Sequence, residues 1–181
     1  MEMHPPCQRI SLVSIPFVLL SPRKTLQQSG SRRGEGFLIV AVQCSQIEFL
    51  ESTLQGTSYR YVPRRKGAQQ KGPYEYSGSG DIFASFLVNR SPFKNDFTQG
   101  IARDFYEGVR CGLLHEARTK NGWTILAKKS GGQTIDANRK VIYRDNFQAA
   151  LLAFVEWYRV ALPSDRPLQE AFIRKFDSLC V

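Results

Sequence analysis

Phe37 to Leu54 reads FLIVAVQCSQIEFLESTL, nearly all apolar at first and then carrying Glu48 and Glu51. The opening FLIVAV alone fits strand or helix, but the length of the run selects helix. A helix that is apolar on more than one face must be covered on more than one side. It is therefore central in a bundle or lies at a subunit interface. Gly56 is a natural stop for it. At 181 residues the chain is long enough to bury a full core around such a helix without staples.

The rest of the chain supplies helical partners. Asp81 is placed to cap a short helix, IFASFLVN, through Asn89. Ser91-Pro92 resets the chain, and Asn95 or Asp96 caps a longer helix through about Arg118. After Asn121-Gly122 come two strand-like pieces, Trp123–Ala127 and Lys140–Arg144, joined by SGGQTIDAN and expected to form a β-hairpin. Asp145 or Asn146 then caps FQAALLAFVEWYRVAL, which ends before Pro163. A last helix begins near Pro167, with Leu168, Phe172, Ile173, Phe176 and Leu179 on one face. The expected fold is mainly α: a helical bundle with a small β-hairpin insertion after the Asp96–Arg118 helix. Residues 1–33 end in QQSGSRR, which cannot bury a face, and read as a disordered leader or a mis-assigned start; the domain then spans 34–181.

Lys and Arg number 25 against 16 Asp and Glu, a net charge of +9, which favours a polyanionic partner, nucleic acid being the commonest. The long segment 57–80, TSYRYVPRRKGAQQKGPYEYSGSG, concentrates that charge. Arg60, Arg64, Arg65, Lys66 and Lys71 alternate there with Tyr59, Tyr61, Tyr74 and Tyr76. Cations grip phosphates and tyrosine rings stack on unpaired bases, so these five cations are candidate RNA-binding residues. The plainer alternative is a solvated loop. Cys7, Cys44, Cys111 and Cys180 are too scattered for a metal knuckle or a secreted disulfide framework. No cluster of ligands suggests a metal site, and no glycine-rich phosphate cradle is present, so no cofactor is expected. Unbroken apolar runs fall short of the roughly 18 residues of a membrane span. Ile10–Leu20, broken by Pro16, has weak signal-peptide flanks. The expectation is a cytoplasmic chain with no membrane contact.

One stretch carries chemistry: DFTQGIARDFYEGVRCGLLHEAR. At about 100° per residue, with Arg110 at zero, Glu107 falls at about 60° and His115 at about 140°. Ile101, Ala102, Phe105, Tyr106, Val109 and Leu113 fill the opposite arc, so Arg110 and His115 lie on the polar side. An Arg110–Glu107 surface ion pair, three residues apart, is the simplest reading of that spacing. The chemical reading is that His115 removes the 2′-hydroxyl proton of RNA while Arg110 holds the phosphate, which suffices for metal-free cleavage. Glu107 or Asp104 would orient either group.

RCGLLH, Arg110 to His115, resembles the R-x(4–6)-H motif of the HEPN superfamily in its four-residue-spacer form. It lies late on a long helix, after the acidic DFYEGV, in a helical chain. The resemblance covers about residues 35–180. It implies a small helical bundle acting as a metal-independent endoribonuclease of a toxin, defence or RNA-processing kind. It implies Arg110 as phosphate-binding and His115 as acid/base, with Glu107 beside them. An acidic residue on an earlier helix assists in some members, and Glu48 or Glu51 is the candidate here. Such domains commonly form homodimers whose two motifs share one composite site, and a toxin would have an antitoxin protein as partner. The alternative expectation is a non-catalytic helical module that binds RNA or protein.

Overall fold

A computed structural model describes residues 35–63 and 70–180. The leader 1–33 therefore lies outside the described residues. The chain is mainly helical, as expected. Helix α1, Glu35–Gln55, runs through the molecule and packs against α2, α5 and α6. Val40, Gln43, Cys44, Ile47, Glu51, Ser52 and Thr53 form its buried face. Leu38, Val42 and Phe49, at four- and seven-residue steps along the other face, stay 70%, 50% and 45% exposed. By length and composition α1 could cross a membrane, which counting unbroken apolar runs did not bring out. The helix stops at Gly56, whose φ is +62°. A Cβ there would stand 2.8 Å from the Ala171 backbone, so both conformation and the approach of α6 require glycine.

Beyond Gly56 the chain makes two short strands, β1 (Ser58–Tyr59) and β2 (Glu75–Tyr76), paired in parallel. They close the long segment between them at its base. Helix α2 is Ser79–Asn89, with Gly78 at its cap and Asp81 within its first turn. It is locked to α1 by Glu51, a buried carboxylate. Arg90 reaches its two oxygens through Nε at 2.8 Å and a terminal nitrogen at 3.0 Å, and the Ser85 hydroxyl donates at 2.8 Å. Removing one partner of a pair this deep costs about 3–5 kcal/mol, because the other charge is left buried and unmatched.

After a 3₁₀ turn at Phe93–Asn95 comes one continuous helical run in three parts. These are α3 (Gln99–Phe105), a π-helical segment (Tyr106–Cys111) and α4 (Gly112–Glu116). Thr98 caps it, its hydroxyl accepting from the Ile101 N–H at 3.4 Å. The expected caps do other work. Asp96 accepts from the Thr134 N–H at 2.8 Å and from its hydroxyl, tying the turn to the sheet. The run ends at Ala117 in the left-handed region, φ +54°.

The insertion that follows is a three-stranded sheet in the order β3-β5-β4, formed by Thr124–Leu126, Val141–Tyr143 and Ile135–Asp136. The two expected strand pieces do pair, but in parallel. The hairpin is instead β4 with β5, antiparallel, turning over residues 137–140. The chain leaves β3, crosses the sheet and returns. Asn146 fixes that crossing by donating to the Lys129 and Gln133 carbonyls at 2.9 and 2.8 Å. It is thus buried rather than a cap, and α5 (Arg144–Ala161) starts directly from β5. Helix α6 is Arg166–Asp177, capped by Asp165, whose carboxylate accepts from the Leu168 N–H at 3.1 Å. Of its expected apolar face Phe172 is buried, while Ile173 and Leu179 are exposed.

The core is aromatic. Phe86 meets Phe154 at 4.8 Å between ring centroids, Phe93 meets Phe147 at 5.0 Å, and Phe105 meets Trp123 at 5.2 Å. Each such buried ring contributes about 1.5–3 kcal/mol by leaving water. This cluster clamps the helical run from Thr98 onward between α2, α5 and the sheet, and so sets how its polar side faces outward.

Candidate functional site

The π-helical segment decides where Arg110 points. A turn closed by i→i+5 bonds holds more residues than an α turn, so a wheel drawn at about 100° per residue loses phase across it. Arg110, at the end of this segment, faces α1. Its terminal nitrogen donates to Glu48 Oε2 at 3.1 Å, and each side chain is 18% exposed. The guanidinium also lies 5.3 Å from the Tyr106 ring centroid, one turn earlier. Burial works against the charge on Arg110, but the negative ends of Tyr106 and Glu48 outweigh it, so the guanidinium is held as a cation.

Glu48 is gripped from both sides. Its other oxygen accepts from the Tyr76 hydroxyl at 3.2 Å. Burial, aided by the charge of Glu48, pushes the Tyr76 phenol up to about 12, which keeps it a neutral donor. Arg110, Glu48, Tyr76 and Tyr106 thus form one half-buried polar cluster joining α1, β2 and the motif run. Of the two acidic candidates on the earlier helix, Glu48 meets Arg110, and Glu51 is committed to Arg90.

The expected Arg110–Glu107 ion pair does not form, because Glu48 takes the guanidinium. Glu107 is exposed and makes no ion pair among the described residues. His115, in the last turn of α4, is exposed, and no described residue hydrogen-bonds its ring. It stands five positions after Arg110, about 7–8 Å of axial rise, with half-exposed Leu114 between. No family model matches this chain, and no curated protein or solved structure is significantly similar to it.

The backbone around the pair is held from behind. The chain doubles back after Ala117, and the Lys120 N–H donates to the Gly108 carbonyl at 2.6 Å. Asp104 pins this return by accepting from Trp123 Nε1 at 3.0 Å and from Lys140 at 2.9 Å. Burial pushes the Asp104 carboxyl up, but donors from Lys140, Trp123 and Asn121 together hold it below its ordinary range. Gly108 and Gly112 allow the close approach: a Cβ at Gly112 would lie 2.5 Å from the Arg118 carbonyl oxygen.

The candidate RNA-binding cations are not equivalent. Arg60 is half-buried and forks onto Glu75 at 2.8 and 3.1 Å, bracing the base of the long segment. Lys71 is exposed and makes no ion pair among the described residues. Arg64, Arg65 and Lys66 lie outside the described residues. A cavity of about 580 Å³ opens between α5 and the 128–132 loop, with Ala150, Ala153 and Lys128 in its lining. None of the site residues lines it. His115 stands on an open surface, which suits a long substrate laid across it better than an enclosed small molecule. Sequence reasoning missed Tyr106 and Tyr76 as partners of this cluster. Tyr106 stands four residues before Arg110, a cation–aromatic spacing that was there to be read; Tyr76 carries no such signal.

Proposed function

We propose that this protein is a metal-independent endoribonuclease of HEPN type, with Arg110 and His115 as its reacting groups. The observation that carries the reading is the pairing of opposite situations on one helical run. Arg110 is clamped by Glu48 against Tyr106, and His115 stands exposed with its ring unengaged. A clamped guanidinium presents its remaining N–H groups in a fixed direction, as gripping a phosphate requires. An exposed imidazole with no partner among the described residues is open to a substrate hydroxyl, as a general base must be.

The reaction follows from those groups. The His115 imidazole takes the 2′-hydroxyl proton, and the freed oxygen attacks the adjacent phosphorus. Arg110 balances the charge that grows on the phosphate oxygens. The bond to the 5′-oxygen breaks, leaving a 2′,3′-cyclic phosphate and a 5′-hydroxyl. In a homodimer the second copy's imidazole gives the departing oxygen its proton, so the two motifs make one site. The exposed Leu38, Val42 and Phe49 stripe of α1 is the face that would bring them together. Glu107, exposed and without an ion pair among the described residues, stands at the solvated rim of this proposed site.

One observation favours the second reading, a non-catalytic RNA-binding or protein-binding module. Arg110 is only 18% exposed and already paired, as in a purely structural bridge. Purified protein incubated with bulk RNA in EDTA separates the two. Cleavage to cyclic-phosphate ends, lost in His115→Ala and Arg110→Ala with unchanged circular dichroism, supports the nuclease. Salt-sensitive RNA binding with no cleavage supports the module.

A further inference from the structure

Tyr74 lies at the entrance to β2 and leans over α6. The Arg174 guanidinium sits 4.3 Å from its ring centroid. The ring is still 52% exposed, so it is covered on one side and open elsewhere. Hydrogen bonds do not explain why Arg174 is there. Among the described residues its one hydrogen bond, to the Gln55 carbonyl, is long at 3.5 Å, and its buried Nε–H finds no partner. A buried donor left unmatched in a fold costs free energy and asks for a reason. What the guanidinium gains is the aromatic face.

Tyr59 adds a second exposed ring. It is 54% exposed and meets Tyr76 edge-on at 5.7 Å, and the two are register partners in the β1–β2 ladder. The start of β1 is fixed to α6 and its C-terminal cap. Lys175 donates to the Thr57 carbonyl at 3.0 Å, and the Ser58 and Ser178 hydroxyls share a hydrogen bond. The carboxylate of this patch, Glu75, is neutralised by Arg60, while Lys71 remains exposed beside it. The surface therefore offers firmly placed aromatic faces, a cation behind one of them and little free negative charge. That is the make-up of a stacking surface for unpaired bases.

We propose that Tyr74, backed by Arg174, and Tyr59 form a stacking platform for the unpaired bases of single-stranded nucleic acid. The platform rests on the RNA half of the function proposed above and is independent of cleavage. It brings α6, in which sequence reasoning placed no functional residue, into the substrate path. The cation on one face of Tyr74 fixes the ring and leaves the other face for a base. Lys71 then faces the backbone.

The test uses a labelled oligothymidine of about 12 residues, which has no 2′-hydroxyl and so cannot be cut by the proposed route. Fluorescence anisotropy compares it with its duplex. The full chain is expected to prefer the single strand, and Tyr74→Ala and Tyr59→Ala each to weaken it about five- to thirty-fold. Tyr74→Trp is expected to retain binding, and duplex affinity to move less than about two-fold in every variant. Arg174→Lys keeps α6 charged but removes the planar face, and an intermediate loss is expected. Single-strand affinity unchanged in Tyr74→Ala, a wild type that binds duplex equally well, or no binding at all overturns the platform. Failure of the platform with His115-dependent RNA cleavage intact leaves the nuclease standing. Tyr74-dependent binding without cleavage does the reverse.

Discussion

Glu48 and Glu51 stand three residues apart on α1, nearly a full helical turn, and the sequence offers no way to tell which one meets Arg110. The difference is made by neighbours: α2 brings Arg90 and Ser85 to Glu51, and the π-helical segment brings Arg110 to Glu48. An arginine and a histidine on one amphipathic helix stand out in the sequence, but their orientation does not follow from the wheel: Arg110 turns to α1 and His115 is exposed. The Arg110–Glu107 ion pair read from the same wheel does not form, since i,i+3 spacing permits a pair without requiring one. Asp104 looked like an orienting carboxylate, but it braces the return of the chain through Trp123 and Lys140. Its folded carboxyl lies below its unfolded value of about 3.9, so its contribution is complete above that pH and is lost as pH falls through the folded value. Thermal melts between about pH 7 and 3 are therefore expected to fall less steeply below about pH 4 in Asp104→Asn than in the wild type. Identical acid slopes would remove Asp104 from that role.

The elements show where helical rules hold and where they stop. Helix existence followed from apolar runs, and each expected helix is present. Caps were less legible. Asp96, Asn146 and Asp81 are all good capping types, yet Asp96 and Asn146 hold the sheet crossing and Asp81 lies inside a helix. A side chain that can cap can equally bond a distant backbone, and only the fold decides. The hairpin expectation failed in its pairing because a linker as long as SGGQTIDAN leaves room for a strand of its own. Nothing in residues 106–111 signals the π turn, which is also what turns Arg110 to Glu48. Gly112 tests this packing. Alanine gains about 1 kcal/mol in intrinsic helix preference over glycine. Its Cβ would meet the Arg118 carbonyl oxygen at 2.5 Å, and backbone cannot step aside cheaply. Gly112→Ala is expected to be net destabilising by about 1–3 kcal/mol in urea melts. A neutral or stabilising result would mean that the return of the chain is looser than its geometry.

For the molecule as a whole, the long apolar α1 was read as central or as a subunit interface; one face is buried in the bundle and the other carries an exposed apolar stripe. The composite site proposed above would need a second copy, and Val42→Glu, on the exposed face and outside the core, is expected to leave folding intact. It is also expected to shift sedimentation from dimer to monomer and to abolish RNA cleavage. A wild type that sediments as a monomer and still cuts RNA would dispose of the shared site. The parallel stitch of Ser58–Tyr59 with Glu75–Tyr76 carries a consequence of its own. The chain leaves the bundle and re-enters it through a single two-residue seam, which holds the described ends of the segment together. Doubling such a loop costs only about 0.6 kcal/mol in closure entropy. On the RNA reading proposed above, an insertion between Arg60 and Tyr74 would change what is bound while leaving the seam itself in register, which makes it a natural place for graft-in swaps of specificity.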